Sequence, residues 1–138
     1  VGDDLFHWKA TIKGAVSLNP IFTKSVADSP YSEGKFCIDI VINNNYPYTP
    51  PKVGASPCFS SLFVDEIDTK IWHPNISSVT GAICLDILKN EWSPALSIRT
   101  ALLSIQALMC CAEPSDPQDA VVAKQYVEDR DAFNKQAK

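Results

Sequence analysis

The feature that most constrains the fold is a change in the spacing of apolar residues along the chain. In residues 5–13 and 35–42 apolar side chains recur at every second position, which is typical of half-buried strands. These side chains are Phe6, Trp8, Ala10 and Ile12 in the first segment and Phe36, Ile38, Ile40 and Ile42 in the second. From Ile98 onward the spacing becomes three or four, which is typical of an amphipathic helix. Strands followed by helices predict an α+β fold with segregated elements.

Polar and proline residues mark the ends of the expected helices. Ser97 is the expected N-cap of the first helix, and Pro114 and Pro117 lie beyond its end. A second helix is expected over residues 119–127, and Asp129 is expected to cap a third.

The segment between the first two strands and the helices is rich in proline. Residues 46–53 contain three prolines within five positions, which predicts a rigid extended loop that enters a third strand. Residues 54–61 are small and polar and are expected to form a loop, whereas residues 62–71 are expected to form a further strand.

Composition excludes several classes of protein. The 138 residues suit one domain, residues 1–138. With 12 Lys and Arg against 16 Asp and Glu the net charge is −4, which argues against a dedicated nucleic-acid binder. No apolar run approaches the roughly 20 residues that cross a bilayer, so no membrane partner is expected.

The cysteines predict thiol chemistry rather than a metal site. There are five, an odd number that favours a reducing compartment. A structural zinc site needs about four closely spaced Cys or His ligands, whereas this chain has no C-x-x-C pair and only His7 and His73. Any cysteine chemistry should therefore depend on a single reactive thiol.

Residues 72–96 have little periodicity but carry three ordered motifs. The first is His73-Pro74-Asn75, the second is Gly81-Ala82-Ile83-Cys84-Leu85-Asp86, and the third is Trp92-Ser93-Pro94-Ala95-Leu96. Cys84 follows Asn75 by nine residues, and Ser115-Asp116-Pro117 follows the expected long helix. This ordered set resembles the catalytic core of the ubiquitin-conjugating enzymes, and the resemblance covers nearly the whole chain.

The resemblance implies a fold and an activity. The expected fold is an antiparallel meander of about four strands packed on one long central helix, with further C-terminal helices. The expected activity is transfer of ubiquitin, which arrives from the activating enzyme as a thioester on Cys84 and passes to a substrate lysine with a RING- or HECT-type ligase. No cofactor or metal is implied, because ATP is used by the activating enzyme. The implied location is the cytoplasm, and also the nucleus.

The resemblance also assigns roles around Cys84. A thioester carrier needs one accessible thiol, and the polar segment after Gly81 suggests that Cys84 lies in an exposed loop. The alternative, which position alone would favour, is that Cys84 is a buried core cysteine. Asn75 would stabilise the oxyanion or hold its loop together. Asp116 would orient the attacking amine, although without the resemblance its position before Pro117 would indicate an ordinary turn or N-cap residue. Asp86 would line the same cleft.

His73 and Pro74 are implied to be structural. Cys, His and Asn together suggest a papain-like protease, but His73 and Asn75 flank one proline and would hardly converge on one thiol. We therefore expect His73 to form hydrogen bonds within its own loop.

Two binding surfaces follow from the resemblance. Tyr48 and the loop Ser93-Pro94-Ala95 match the loops that contact ligases. Thr100, Leu103 and Ala107 match the helix face that holds the donor ubiquitin, although Leu103 could instead belong to the core.

Three departures from the family pattern leave alternatives open. The chain opens at the first strand rather than at the family's first helix, residues 16–27 and 54–65 look like insertions, and the chain stops within the last expected helix. It could therefore be an inactive binding module that holds ubiquitin or a ligase. It could also carry another ubiquitin-like modifier.

Overall fold

Three antiparallel strands form the sheet in the part of the chain that the structure describes. The computed structural model describes residues 5–14, 29–32, 34–56 and 71–138. The strands are β1 (His7–Lys13), β2 (Lys35–Val41) and β3 (Lys52–Ser56), in the spatial order β1-β2-β3. Ile12 pairs with Phe36 and Ile40 pairs with Val53. The α+β class and the first two strands are thus confirmed.

The expected fourth strand and both expected insertions fall largely in residues that the structure does not describe. Residues 62–70 lie outside the described residues, and Ile71 is not in a strand. Residues 16–27 and the remainder of the second insertion, 57–65, also lie outside them.

The third strand is longer than the sequence predicts. Residues 54–56, expected to be loop, continue β3. Small residues are needed here because another backbone segment approaches closely: the Ala55 N–H donates to the Gly81 carbonyl at 2.8 Å. Gly81 has φ +71°, and a Cβ on it would meet the Ala55 oxygen at 2.1 Å. This contact fixes the sheet against the segment that carries Cys84.

The helices follow the expected caps closely. They are α1 (Ile98–Cys110), α2 (Ala120–Glu128) and α3 (Arg130–Gln136). The Ser97 side chain accepts from the Thr100 N–H at 3.2 Å, Asp119 accepts from the Val122 N–H at 3.2 Å, and Asp129 accepts from the Ala132 N–H at 2.9 Å. Each cap satisfies an N–H that the first helical turn leaves without a partner.

The core lies between one face of the sheet and α1. Its fully buried members include Ile38, Ile40, Ile105, Val122 and Phe133. Near the start of β1 the apolar face is less covered, since Phe6 and Trp8 are about half exposed. No helix in the described part of the chain is long and apolar enough to cross a membrane.

One cysteine of the sheet is not a free thiol. Cys37 lies in β2 and is disulfide-bonded, a state that the expected reducing compartment does not favour. Cys84 and Cys111 are free thiols.

Candidate active site

A tight reversal of the chain carries Cys84 back beside Asn75. Ile76 forms isolated β-bridges with His73 and Ile83, and the Ser77 N–H donates to the Ala82 carbonyl at 2.9 Å. The Cys84 N–H then donates to the Asn75 carbonyl at 2.8 Å. The backbone of the nucleophile candidate is therefore fixed to the first motif by hydrogen bonds.

His73 is completely buried and is held in one tautomer. Its Nε2 lies 3.1 Å from the Leu108 carbonyl oxygen, which can only accept, so Nε2 carries the hydrogen. Its Nδ1 accepts from the Asn75 N–H at 3.0 Å. Burial lowers the pKa of His73 to about 4, and the Leu108 hydrogen bond opposes that change. A neutral imidazole with both nitrogens occupied joins α1 to the loop and is not available as a base.

Asn75 uses its side-chain amide to hold a distant loop. Its Nδ2 donates to the carbonyls of Glu113 (2.7 Å) and Asp116 (3.0 Å), and its Oδ1 accepts from the Glu113 N–H at 2.9 Å. Both amide hydrogens are thus already donated. Of the two roles left open by the sequence, these contacts correspond to holding the loop together.

Pro74 supplies a second link to the same loop. It is fully buried, and its carbonyl accepts from the N–H groups of Gln118 (2.9 Å) and Asp119 (3.0 Å). The 73–75 tripeptide and residues 113–119 therefore form one hydrogen-bonded unit.

Cys84 is less accessible than the sequence suggests. It is only 6% exposed, so the expected exposed loop is wrong for this residue. It is one of the buried apolar residues, as its position alone would favour, although it lies outside the main apolar cluster of the described residues. Its sulfur instead faces two charged side chains, accepting from Lys89 Nζ at 2.9 Å and lying 3.4 Å from Asp116 Oδ2.

Lys89 is a site residue that the sequence analysis missed. It follows a short 3-10 helix, Asp86–Leu88, and its N–H donates to the Asp86 carbonyl at 2.9 Å. The hydrogen bond to the Cys84 sulfur and the Coulomb interaction with Cys84 raise the pKa of Lys89, and the Asp116 carboxylate adds to the increase. The only available signal was its position five residues after Cys84 in a turn-forming segment.

The two carboxylates named by the sequence differ in their surroundings. Asp116 is exposed and contacts the sulfur, as described above. Asp86 is also exposed, but its carboxylate accepts from the adjacent Ile87 N–H at 2.7 Å. The structure thus brings Asp116 to Cys84 and turns Asp86 toward its own backbone.

The two loops expected to contact a ligase lie side by side. Trp92 Nε1 donates to the Pro47 carbonyl at 2.7 Å, and the Trp92 ring packs against Tyr46. This contact joins the loop of Tyr48, which is 80% exposed, to Ser93, Pro94 and Ala95, which are exposed as well.

The face of α1 expected to hold ubiquitin is open. Thr100, Leu103 and Ala107 are exposed and share one side of the helix. Leu103 is 56% exposed, so it is not a core residue. The Thr100 hydroxyl lies 3.1 Å from the Ser97 hydroxyl and thus takes part in the helix cap.

The site has the chemistry of a covalent carrier. A cysteine sulfur within hydrogen-bond distance of an ammonium group can act as a nucleophile toward an acyl carbon. Among the described residues, no three His, Cys, Asp or Glu side chains converge as metal ligands.

Comparison with known proteins points to one family. A family profile described as ubiquitin-conjugating enzyme matches residues 1–138. The human protein named ubiquitin-conjugating enzyme E2 K is 53% identical over 111 residues, which are 80% of this chain and 50% of that protein. Ubiquitin-conjugating enzyme E2 27 of Arabidopsis thaliana is 52% identical over 131 residues, 95% of this chain and 56% of that protein.

A solved structure gives the same result at the level of the fold. The E2 domain of a Toxoplasma gondii ubiquitin-conjugating enzyme matches with a TM-score of 0.78 and 50% identity, over 99% of this chain and 79% of that one. The chain spans about half the length of the two sequence relatives described above.

Proposed function

Since this chain belongs to the ubiquitin-conjugating enzyme family, we propose that it carries ubiquitin as a thioester on Cys84 and passes it to a lysine amine. The activating enzyme would supply the ubiquitin, and a RING- or HECT-type ligase would bring the substrate. The reaction needs no cofactor bound to this chain, and we assign it to the cytoplasm and the nucleus.

The observation that carries this proposal is the position of the Cys84 sulfur between Lys89 Nζ (2.9 Å) and Asp116 Oδ2 (3.4 Å). The ammonium group stabilises a thiolate, which is the form that attacks the activated carboxyl end of ubiquitin. In this first step a C–S bond forms and the activating enzyme's thiol leaves.

The second step requires a neutral amine. A free lysine has a pKa of about 10.4, so only roughly one in 2,500 is neutral at pH 7. Asp116 is exposed and close to the sulfur, so its carboxylate can orient an incoming ammonium group and accept its proton. We assign Asn75 the task of keeping Asp116 in place, because its two amide hydrogens hold Glu113 and Asp116.

The exposed surfaces suit the partners of this reaction. The loop pair joined by Trp92 and Pro47 presents Tyr48 and the 93–95 segment to a ligase. The open face of α1, centred on Leu103, is available to the carried ubiquitin. An inactive binding module would have no need for a cysteine set between a cation and a carboxylate, and no observation favours that alternative.

The proposal is tested by a charging assay with activating enzyme, ATP and ubiquitin. The wild-type chain should form an adduct that a thiol reductant releases. Cys84→Ser should form at most an adduct that resists the reductant, because an oxyester replaces the thioester, and Cys84→Ala should form neither.

Cys111 provides a matched control, since it is also a free cysteine and is exposed. Cys111→Ala should charge like the wild type. A reductant-sensitive adduct on Cys84→Ala would show that the carrier is another cysteine.

A further inference from the structure

Asn43 lies where the sheet ends and the exposed 43–50 loop begins. The last pair between β2 and β3 joins Val41 to Lys52, so Asn43 is just beyond the end of the ladder. Its side chain is half-buried and makes three hydrogen bonds within the loop. Neither chemical step of the proposed reaction uses this side chain.

The Asn43 amide holds both ends of the loop. Its Oδ1 accepts from the Asn45 N–H at 2.8 Å and from the Thr49 hydroxyl at 2.6 Å. Its Nδ2 donates to the Pro50 carbonyl at 2.8 Å. One side chain therefore joins the start of the loop to its end, two residues before β3 begins.

The loop has few backbone donors with which to close itself. Pro47, Pro50 and Pro51 carry no N–H group, so they cannot donate the bonds that would extend the ladder. The backbone bonds from Tyr48 and from its neighbours form local turns, which do not reach across the loop. The amide of Asn43 supplies the link between the two ends.

The loop presents a largely exposed aromatic side chain, that of Tyr48. The Tyr48 N–H donates to the Asn45 carbonyl at 2.8 Å, and the Asn45 N–H in turn donates to Asn43. Two successive hydrogen bonds thus connect Asn43 to the backbone of Tyr48. Tyrosine is among the residues that contribute most to affinity at protein interfaces.

A second contact fixes the middle of the loop. Trp92 Nε1 donates to the Pro47 carbonyl at 2.7 Å, and Trp92 directly precedes the 93–95 segment. Asn43 therefore sets the shape of the loop, whereas Trp92 sets its position beside the second segment that faces a ligase.

We propose that Asn43 is a positioning residue for ligase binding, which orders the 43–50 loop before a ligase arrives and so presents Tyr48 in its bound arrangement. This inference rests on the proposed function, because the partner is the ligase of that reaction. Ordering a loop at the moment of binding costs free energy and reduces affinity. A loop that is already ordered avoids this cost, so Asn43 acts on affinity for the ligase rather than on the chemistry at Cys84.

The test measures how the discharge rate depends on ligase concentration. The charged chain transfers ubiquitin to free lysine while the RING domain of a ubiquitin ligase is titrated, chosen from a panel because it accelerates discharge of the charged wild type. Asn43→Ala should raise the half-saturating RING concentration about tenfold and should change the maximal rate much less. Asn44→Ala, in the exposed neighbour whose side chain takes no part in the bonds described above, should match the wild type.

A double variant shows whether Asn43 acts through Tyr48. Tyr48→Ala should weaken RING binding, and adding Asn43→Ala should weaken it no further, because the side chain to be positioned is already gone. If the effects of the two changes multiply, Asn43 does not act through Tyr48 and the inference is wrong. An unchanged half-saturating concentration for Asn43→Ala alone would also overturn it.

Thr49→Ala decides the matter if Asn43→Ala does not fold. Thr49 is exposed, and this change removes one of the three bonds to Asn43. The half-saturating RING concentration should then rise about threefold. In that case, a Thr49→Ala variant that binds like the wild type would contradict the inference.

The remaining outcomes separate the inference from the proposed function. If the wild type forms no thioester, the proposed function fails and the inference fails with it. If a thioester forms but none of the RING domains accelerates its discharge, the assignment of the ligase surface fails together with the inference. If a thioester forms and Asn43→Ala responds to the RING domain as the wild type does, only the inference is wrong.

Discussion

Two groups of residues position or contact Cys84, and they differ sharply in burial. The support, formed by His73, Pro74 and Asn75, is less than 2% exposed. The rim, formed by Lys89 and Asp116, is exposed to solvent. Both groups come from irregular stretches of sequence. The support holds backbone segments together, whereas the rim contacts the sulfur.

The difference follows from their hydrogen bonds. His73 has both ring nitrogens occupied by partners in its own loop and in α1, and Asn75 binds three backbone groups of residues 113–116. Rim side chains contact the sulfur itself. Buried polar groups are costly to leave unpaired, so changes in the support should reduce stability, whereas changes in the rim should alter rates.

The largest expected effect is that of Asn75→Ala. The substitution leaves three backbone groups without partners, so the free energy of unfolding should fall by about 3–5 kcal/mol. Urea denaturation measures the change. Asn90→Ala, in an exposed turn, is the matched control and should change stability by less than about 0.5 kcal/mol. If the two variants were equally stable, the Asn75 hydrogen bonds would not stabilise the fold, and the proposed difference between support and rim would be wrong.

Acid should lower the stability of the folded chain by protonating His73. Its pKa in the folded chain, about 4, lies below the ordinary 6.5, so the folded state resists protonation. Stability is therefore fully present above pH 6.5 and is lost as the pH falls toward 4, by about 3 kcal/mol in total. Denaturation curves between pH 7 and 4 measure this loss. His7→Gln, on exposed β1, should leave the loss in place, and a flat profile in the wild type would contradict a buried neutral His73.

Asp116→Ala should have the smallest effect on stability and a selective effect on rate. Loss of a charged partner for the attacking amine should cost about 1.5–3 kcal/mol in that step, or about 10- to 100-fold in rate. Charging of Cys84 should slow less, because no amine takes part in it. Single-turnover discharge to free lysine, compared with the charging rate, separates the two steps. Equal slowing of both would indicate that Asp116 is part of the support.

Much of the fold could be predicted because the signals are local. Ser97, Asp119 and Asp129 each precede an apolar pattern of helical period and each caps the helix that follows. Alternating apolar residues likewise locate β1 and β2. Residues 54–56 give no strand signal in the sequence because their small side chains show no alternation. They pair with β2, and the Ala55 N–H also donates to the Gly81 carbonyl, 26 positions away.

The site was less predictable because its properties come from contacts between distant segments. The motifs identify Cys84 and Asn75, but the burial of Cys84 depends on how residues 113–116 close over the loop. Lys89 carries no motif of its own, and its reach to the sulfur depends on the 3-10 turn that follows Cys84.

The double hydrogen bond to the Pro74 carbonyl has a consequence for how the protein is made. Its donors, Gln118 and Asp119, are more than 40 residues downstream in the chain. Closing a loop of this length slows folding, and a ribosome adding about 5–20 residues per second needs roughly 2–7 s to go from Cys84 to Asp119. During that interval the nascent thiol has neither Asp116 nor the closed loop beside it. We therefore expect carrier chemistry to begin only after the chain has been synthesised beyond Asp119 and residues 113–119 have folded back.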